Sequence, residues 1–109
     1  MNWQDIYRRK VTDIDAATAS IKSGDRVYIG CGAGVPIKLI EGLTRRAAGE
    51  TDQPSLRDVE IVHILTFADA PYVDHKYQGV FRHNALFIGH NVRRAVQEGR
   101  ADFTPVFLS

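Results

Sequence analysis

The residues best suited to chemistry lie in a glycine-rich segment at residues 30–34, here called the glycine loop, which runs directly into Val35 and Pro36. Pro36 fits the first position of a helix, where its missing N–H has no cost. Val35 has no side-chain oxygen with which to cap that helix. We therefore expect the first N–H groups of the helix, and those of the loop, to await water or a ligand. A cluster of such donors suits a negatively charged oxygen, although a tight turn without a ligand is the alternative.

Other candidate chemistry along the chain is weaker. The four histidines, at positions 63, 75, 83 and 90, lack the short paired spacing of a zinc site. Cys31 is the single cysteine, so no internal disulfide is possible. It follows a strand and lies close to a helix start, which favours a thiolate, but a packing role is more common for such a residue. We predict neither a metal nor a covalently bound cofactor.

Two alternatives compete with an acyl-group or carboxylate site at the glycine loop. Gly30 and Gly32 begin the G-x-G-x-x-G fingerprint of dinucleotide-binding domains, but Val35 stands at the third glycine position. No acidic residue lies at the end of the second predicted strand, near the expected spacing of about 20 residues. No Gly-Lys-Ser/Thr sequence indicates a P-loop. A degenerate dinucleotide-binding domain is therefore one alternative, and a non-catalytic α/β binding or interaction module is the other.

The elements that must position the loop form a strand, loop and helix unit. Residues 27–29 are β-formers and predict a strand before the loop. The helix after Pro36 has an apolar stripe, which consists of Ile37, Leu39, Ile40, Leu43 and Ala47. The charged residues expected to point away from that stripe are Lys38, Glu41, Arg45 and Arg46. Residues 59–65 are almost continuously apolar and predict a buried parallel strand.

Two short helices are predicted before this unit. Asn2 can cap the first, whose apolar face at Trp3, Ile6 and Tyr7 predicts that it docks on the domain. Thr12 can cap the second, whose inward stripe is predicted to be Ile14, Ala17 and Ile21.

The second half of the chain predicts another strand, loop and helix unit. Residues 66–84 show no period and are interpreted as a long loop. Residues 85–88 then form a strand, Asn91 caps a helix from Val92 to about Glu98, and residues 103–108 form a last strand. The predicted fold class is α/β, with an open, mostly parallel sheet and flanking helices.

The composition of the chain limits the classes of partner that it can bind. It has 109 residues, of which 44% are hydrophobic and 25% charged, and a net charge of +1. This balance argues against nucleic acid or an anionic membrane as a partner. No signal peptide or membrane span is visible, so a cytoplasmic protein is expected. The chain stops at an apolar strand without a cap or polar tail, so we expect a truncated sequence whose exposed apolar face drives homo-oligomer formation.

Five blocks of the sequence resemble the acetyl-CoA hydrolase/transferase family, which includes acetate and 4-hydroxybutyrate CoA-transferases. The blocks are GCGAGVP at 30–36, VEIVH at 59–63, FRHN at 81–84, GHNVR at 89–93 and GRADFTPVFLS at 99–109. The last three are the most specific. The resemblance places residues 1–109 in the N-terminal part of that family's first domain.

The resemblance implies a ping-pong transfer of CoA between an acyl-CoA, such as acetyl-CoA, and a small carboxylate. A glutamate attacks the thioester and passes through an anhydride to a glutamyl-CoA intermediate. That glutamate belongs to a second domain absent from this sequence, so no catalytic residue is assigned here and the chain alone is expected to be inactive. The glutamates present, at positions 41, 50, 60 and 98, lie outside the family's catalytic motif.

Eight residues are candidate substrate-binding residues. From the glycine loop they are Gly30, Gly32, Ala33 and Gly34, whose N–H groups would border the acyl or carboxylate site. The others, which could bind a carboxylate or orient the site, are Arg82, Asn84, Asn91 and Arg93. For Asn91 the alternative role is a helix cap, and for Arg93 it is a solvated helix face.

Overall fold

The computed structural model describes residues 2–108 and confirms an α/β architecture with a parallel sheet and flanking helices. The helices are α1 (Trp3–Lys10), α2 (Ile14–Thr18), α3 (Ile37–Ala47) and α4 (His90–Gln97). The strands are β1 (Arg26–Ile29), β2 (Val59–His63), β3 (Phe81–Ala85) and β4 (Ala101–Phe103). Two single-turn 3₁₀ helices, Pro71–Val73 and His75–Tyr77, connect β2 to β3. No helix within residues 2–108 is long and apolar enough to cross a membrane.

The sheet has the strand order β1-β2-β3-β4, and every neighbouring pair is parallel. Val27 aligns with Ile61, Ile61 with His83, and His83 with Ala101. Crossovers between parallel strands are almost always right-handed. Because the strand order never reverses, right-handed crossovers place every connection on the same side of the sheet. The helices therefore cover one face.

The covered face holds the core. Inward residues alternate along each strand and join buried residues of the helices in one cluster, which includes Ile29, Ile40, Leu43, Leu56, Val59, Ile61, Tyr72, Phe81, Ala85 and Val92. On the other face, here called the open face, Arg26, Tyr28, Arg82 and Asp102 are exposed. The structure therefore has one dry face and one wet face, although parallel sheets are usually covered on both.

Arg46 corrects one prediction about α3, because its side chain does not point away from the core. It is only 4% exposed. Its guanidinium donates to the carbonyl oxygens of Thr18 (2.8 Å), Ile21 (2.6 Å) and Pro54 (3.0 Å). A helix end leaves carbonyls without partners, and a cation satisfies them at the end of α2. On the same helix, Ile37 and Leu39 remain exposed.

The second half of the chain differs from prediction in its boundaries. β3 covers Phe81–Ala85, four residues earlier than the predicted strand, so Arg82 and Asn84 lie on a strand and not in a loop. The buried His83 on this strand hides its period from a hydrophobicity pattern. The last strand was predicted too late, because β4 ends at Phe103 and residues 104–108 have no regular structure. Ser109, the final residue of the last resemblance block, lies outside the described residues.

Helix starts were predicted with mixed success. Asn2 caps α1 as expected, accepting from the Asp5 N–H at 3.0 Å. Asp13 caps α2 in place of Thr12, because its carboxylate reaches the Ala16 N–H at 2.7 Å. The prediction that α1 docks on the domain was wrong, because α1 buries none of its residues and Trp3 is 71% exposed.

Candidate functional site

Three loops meet at the carboxyl edge of the sheet, where α/β proteins usually bind ligands. The glycine loop follows β1, residues 64–68 follow β2, and residues 86–89 lead from β3 into α4. An open groove of about 460 Å³ lies beside them, lined by Ile37, Ile40, Glu41, Phe67, Ala68, Asp69 and Pro71. The groove has apolar walls and two carboxyl groups. A smaller cavity of about 280 Å³ includes Asp58, Gly79 and Phe81, so it lies toward the opposite, amino edge.

The glycine loop is tied to the segment after β2. Gly32 has φ +61°, a conformation that side chains disfavour, and its N–H donates to the Leu65 carbonyl at 2.6 Å. The Phe67 N–H donates back to the Gly32 carbonyl at 3.3 Å. The Gly34 N–H donates to the carbonyl of Cys31 at 3.2 Å. The expectation that every loop N–H is free is therefore wrong for Gly32 and Gly34.

Other donors of the loop remain available. Among residues 2–108, the N–H groups of Cys31 and Ala33 have no hydrogen-bond acceptor, and both residues are exposed. The start of α3 has no side-chain cap, as the sequence predicted, although Pro36 occupies the N-cap position and not the first helical position. The loop and the start of α3 therefore present unpaired donors to solvent at the carboxyl edge.

A buried hydrogen-bonded network lies behind this edge, on the covered face of the sheet. His83 Nδ1 must carry a proton and donate it to the Ile61 carbonyl at 2.9 Å, because a carbonyl can only accept. Nε2 of the neutral His83 ring is then an acceptor, so His63 donates to it from Nε2 at 3.1 Å. His63 Nδ1 accepts in turn, and the hydroxyls of Thr66 (3.3 Å) and Tyr72 (3.5 Å) lie within reach.

Burial keeps both histidines of this network neutral. His63 and His83 are 0% and 1% exposed. The pKa of His83 is lowered to about 3 by its burial and by the neighbouring His63. Burial also lowers the pKa of His63 and raises that of Tyr72. The pair is therefore a structural unit with fixed tautomers, and both rings stay uncharged at neutral pH.

Asn91 connects α4 to the segment after β2. Its Nδ2 donates to the Ala68 carbonyl at 2.7 Å, to Thr66 Oγ1 at 3.2 Å and to the Thr66 carbonyl at 3.3 Å. The carbonyl partners can only accept, which sets the orientation of the amide. The predicted cap role is wrong, since Gly89 is the N-cap of α4 and Asn91 lies inside the helix.

The remaining candidate residues lie away from the glycine loop. On the open face, the Arg82 guanidinium donates two hydrogen bonds to the Asp102 carboxylate, at 2.6 and 2.9 Å. Asn84 lies on the same face, where its Nδ2 donates to Glu60 at 3.0 Å. Arg93 is exposed on α4, in agreement with the solvated helix face that was its alternative role. The structure thus brings Asn91 to the segment after β2, which is hydrogen-bonded to the glycine loop, and places Arg82 and Asn84 on the open face.

The functional potential of His63, His83 and Thr66 was not predicted from the sequence. A usable signal was present, because His63 continues the inward alternation of Val59 and Ile61 along β2. A polar residue at an inward position predicts a buried partner. Residues 2–108 contain no group of three or more His, Cys, Asp or Glu side chains that could hold a metal ion.

Comparison with known proteins identifies related chains. The family model described as "Acetyl-CoA hydrolase/transferase N-terminal domain" matches residues 1–109. The 4-hydroxybutyrate coenzyme A transferase of Clostridium kluyveri is 35% identical over 108 residues, which are 99% of this chain and 24% of that protein. The succinyl-CoA:acetate/propanoyl-CoA:succinate CoA transferase of Fasciola hepatica is 40% identical over 95 residues, covering 87% of this chain and 19% of that one.

A solved structure shares the fold. The crystal structure of RipA from Yersinia pestis matches with a TM-score of 0.74 and 19% identity, covering 98% of this chain and 26% of that chain. A point mutant of RipA matches with a TM-score of 0.75 and 20% identity, covering 97% of this chain and 25% of that chain. The chain spans about a quarter or less of the length of the relatives it matches.

Proposed function

This chain belongs to the acetyl-CoA hydrolase/transferase family, and we propose that the protein it comes from transfers coenzyme A between an acyl-CoA thioester and a small carboxylate. The observation that carries the proposal is the family match along residues 1–109. The names of the two relatives, both CoA transferases, support transfer as the main reaction. Acetate and 4-hydroxybutyrate are the acids we propose to test first.

The proposed chemistry is a double displacement. A glutamate carboxylate attacks the thioester carbonyl, forming an acyl-glutamyl anhydride and releasing CoA thiolate. The thiolate attacks the glutamyl carbonyl, which releases the first acid and leaves glutamyl-CoA. The acceptor carboxylate then attacks glutamyl-CoA, and the thiolate takes the new acyl group and frees the glutamate. Attack by water in place of the acceptor is hydrolysis.

Within this scheme, residues 1–109 are proposed to be the N-terminal part of the first of two domains, and the glutamate is proposed to lie in the second. The contribution of this chain is binding and electrostatic stabilisation by the glycine loop. The unpaired N–H groups of Cys31 and Ala33 support this role, because preorganised donors stabilise an oxyanion at the attacked carbonyl. The uncapped start of α3 adds a positive dipole end at the same edge.

Self-association and a cytoplasmic location belong to the same proposal. The exposed apolar residues near the end of the chain support association, with Phe107 93% and Leu108 79% exposed. Burial of such a surface against a second copy would remove it from water.

Isotope exchange tests the reaction. The full-length protein encoded by the gene that carries this sequence is incubated with unlabelled acetyl-CoA and radiolabelled acetate, with no other acid present. A double displacement transfers label into acetyl-CoA, because each half-reaction is reversible. The same assay is run separately with labelled 4-hydroxybutyrate in place of acetate. If neither acid transfers its label into a CoA thioester, the proposal is refuted for those acids.

A matched pair of glycine substitutions tests the loop. Gly32 and Gly49 lie beyond opposite ends of α3, both have positive φ (+61° and +75°), and both have open space for a side chain. Gly32→Val and Gly49→Val therefore introduce the same kind of backbone strain, about 1–3 kcal/mol each. We expect similar losses of thermal stability but at least about a 10-fold slower exchange for Gly32→Val alone. Equal exchange rates in the two folded variants would exclude the loop from the site.

A further inference from the structure

The contacts of Asn91 specify how it could orient the site, which is one of the roles considered from the sequence, and they differ from those of a helix cap. We propose that Asn91 is a positioning residue, which holds the glycine loop in place through the backbone and hydroxyl of Thr66. The functional meaning of this inference rests on the proposed function, but the positioning itself does not.

The physical link has two joints. At the first, the Asn91 amide donates to Thr66 O, Thr66 Oγ1 and Ala68 O. At the second, the backbone on both sides of Thr66 pairs with Gly32, through Gly32 N–H to Leu65 O and Phe67 N–H to Gly32 O. A shift of the Thr66 backbone must therefore move Gly32 or break these bonds.

The histidine pair on the covered face of the sheet also fixes the position of Thr66. Thr66 is 2% exposed, and its hydroxyl can donate to His63 Nδ1 while accepting from Asn91. His63 is held by His83, whose other nitrogen is bonded to the Ile61 carbonyl in the middle of β2. The glycine loop is thus tied to the sheet by His63 and His83 and to α4 by Asn91.

The unpaired oxygen of the Asn91 side chain supports a positioning role. Its Oδ1 atom is buried and has no hydrogen-bond partner in the described part of the chain. A buried polar atom without a partner is unfavourable, so the residue is poorly explained as packing alone. Gly89 supports the fit, because a Cβ added there would lie 3.0 Å from Oδ1 and 2.9 Å from Leu65 Cδ1. A larger residue at position 89 would therefore have to displace the side chains of Leu65 and Asn91.

Amide hydrogen exchange of the chain, followed by NMR, tests the link. Asn91→Asp keeps the size of the side chain but replaces its donors by a carboxylate that faces three acceptors. We expect the Gly32 amide to exchange about 10-fold faster or more relative to the Ile61 amide of β2, as loss of a hydrogen bond at the loop predicts. The control is Asn2→Asp, where the side chain acts as an acceptor and the same change keeps the α1 cap.

A second pair of variants keeps the test decisive if Asn91→Asp does not fold. Thr66→Val removes the hydroxyl and keeps the shape, whereas Thr66→Ser keeps the hydroxyl. We expect Thr66→Val to increase Gly32 exchange relative to Ile61 and Thr66→Ser to restore the protection. The proposal is refuted if Gly32 and Ile61 change by the same factor, or if Gly32 does not respond to either substitution.

The isotope-exchange assay separates this inference from the proposed function. If the unsubstituted full-length protein shows no exchange but Gly32 protection still depends on Asn91, the positioning stands and the proposed reaction fails. If exchange occurs, we expect Asn91→Asp to lower kcat more than it changes KM for the CoA thioester. An unchanged kcat, with unchanged Gly32 protection, would refute the positioning role and leave the proposed reaction intact.

Discussion

The two faces of the sheet handle polar side chains in opposite ways, and adjacent residues of β3 show the contrast. His83 points into the covered face, where it is 1% exposed, neutral and bonded to His63 and the Ile61 carbonyl. Arg82 points to the open face, where it is charged and paired with Asp102. Both side chains are hydrogen-bonded, so the difference lies in access to water.

The open face is stabilised by ion pairs that solvent weakens. Arg82 lowers the pKa of Asp102, and the hydrogen bonds from Arg26 and then Asn84 lower that of Glu60. Exposed pairs of this kind contribute little to stability, because water and salt screen them. On the covered face no water replaces a lost partner, so a single deletion leaves buried groups unpaired. Burial, and not formal charge, therefore decides how much each contact contributes.

The largest expected effect comes from His83→Ala, compared with Arg82→Ala on the adjacent residue. Removing His83 leaves His63 Nε2 without its partner, takes the side-chain donor away from the Ile61 carbonyl and opens a cavity. We therefore expect a loss of about 3–5 kcal/mol in the free energy of unfolding. Arg82→Ala should cost about 1 kcal/mol or less. Urea unfolding of the two variants measures both values. Similar losses would show that the two faces contribute equally.

The next effect is a dependence of stability on pH that comes from the covered face. The folded-state pKa of His83 is about 3, below the ordinary value of 6.5, and that of His63 is also lowered. A lowered histidine pKa favours the folded state above pH 6.5, and this contribution is lost as the pH falls toward 3. We expect a loss on the order of 4 kcal/mol across this range from His83.

Added salt shows whether this pH dependence comes from the buried histidines or from the exposed ion pairs. Desolvation causes most of the histidine effect, so about 0.5 M NaCl should leave the loss between pH 6.5 and about 4.5 nearly unchanged. Unfolding curves at each pH, with and without salt, provide the measurement. A pH dependence that disappears in salt would assign it to the exposed pairs instead.

The smallest effect is expected from the exposed pair of Arg26 and Glu60, whose atoms Nε and Oε2 lie 2.6 Å apart. A double-mutant cycle with Arg26→Gln and Glu60→Gln should give a coupling energy below about 1 kcal/mol. A larger value would mean that something covers the open face and removes the pair from water. This measurement therefore also reports whether the open face is buried in an oligomer.

Local signals in the sequence predicted much of the architecture. The glycines and Pro36 correctly placed the turn between β1 and α3, because backbone freedom and ring geometry act at single residues. The Asn2 cap was correct for the same reason. β3 was misplaced because His83, the residue that ties it to β2, interrupts the apolar pattern by which strands are detected. Arg46 was misplaced because its partners lie 8 to 28 residues away along the chain.

The candidate site was only partly predictable. The glycine loop was identified from its composition, but the acceptor of Gly32 N–H lies in the segment after β2, beyond any local pattern. Asn91 was selected as a candidate, yet its contacts with residues 66–68 depend on α4 packing beside that segment. Arg82 and Asn84 were grouped with the loop on sequence alone. Strand alternation places them on the open face of the sheet.

By itself the sequence determined the α/β class, the glycine loop and the family, because these depend on the order and type of residues along the chain. Only the tertiary structure decided which polar residues are neutral and buried, which are charged and exposed, and which loops touch. Burial and long-range hydrogen bonds arise when distant segments pack together, and a sequence pattern carries no distance between such segments.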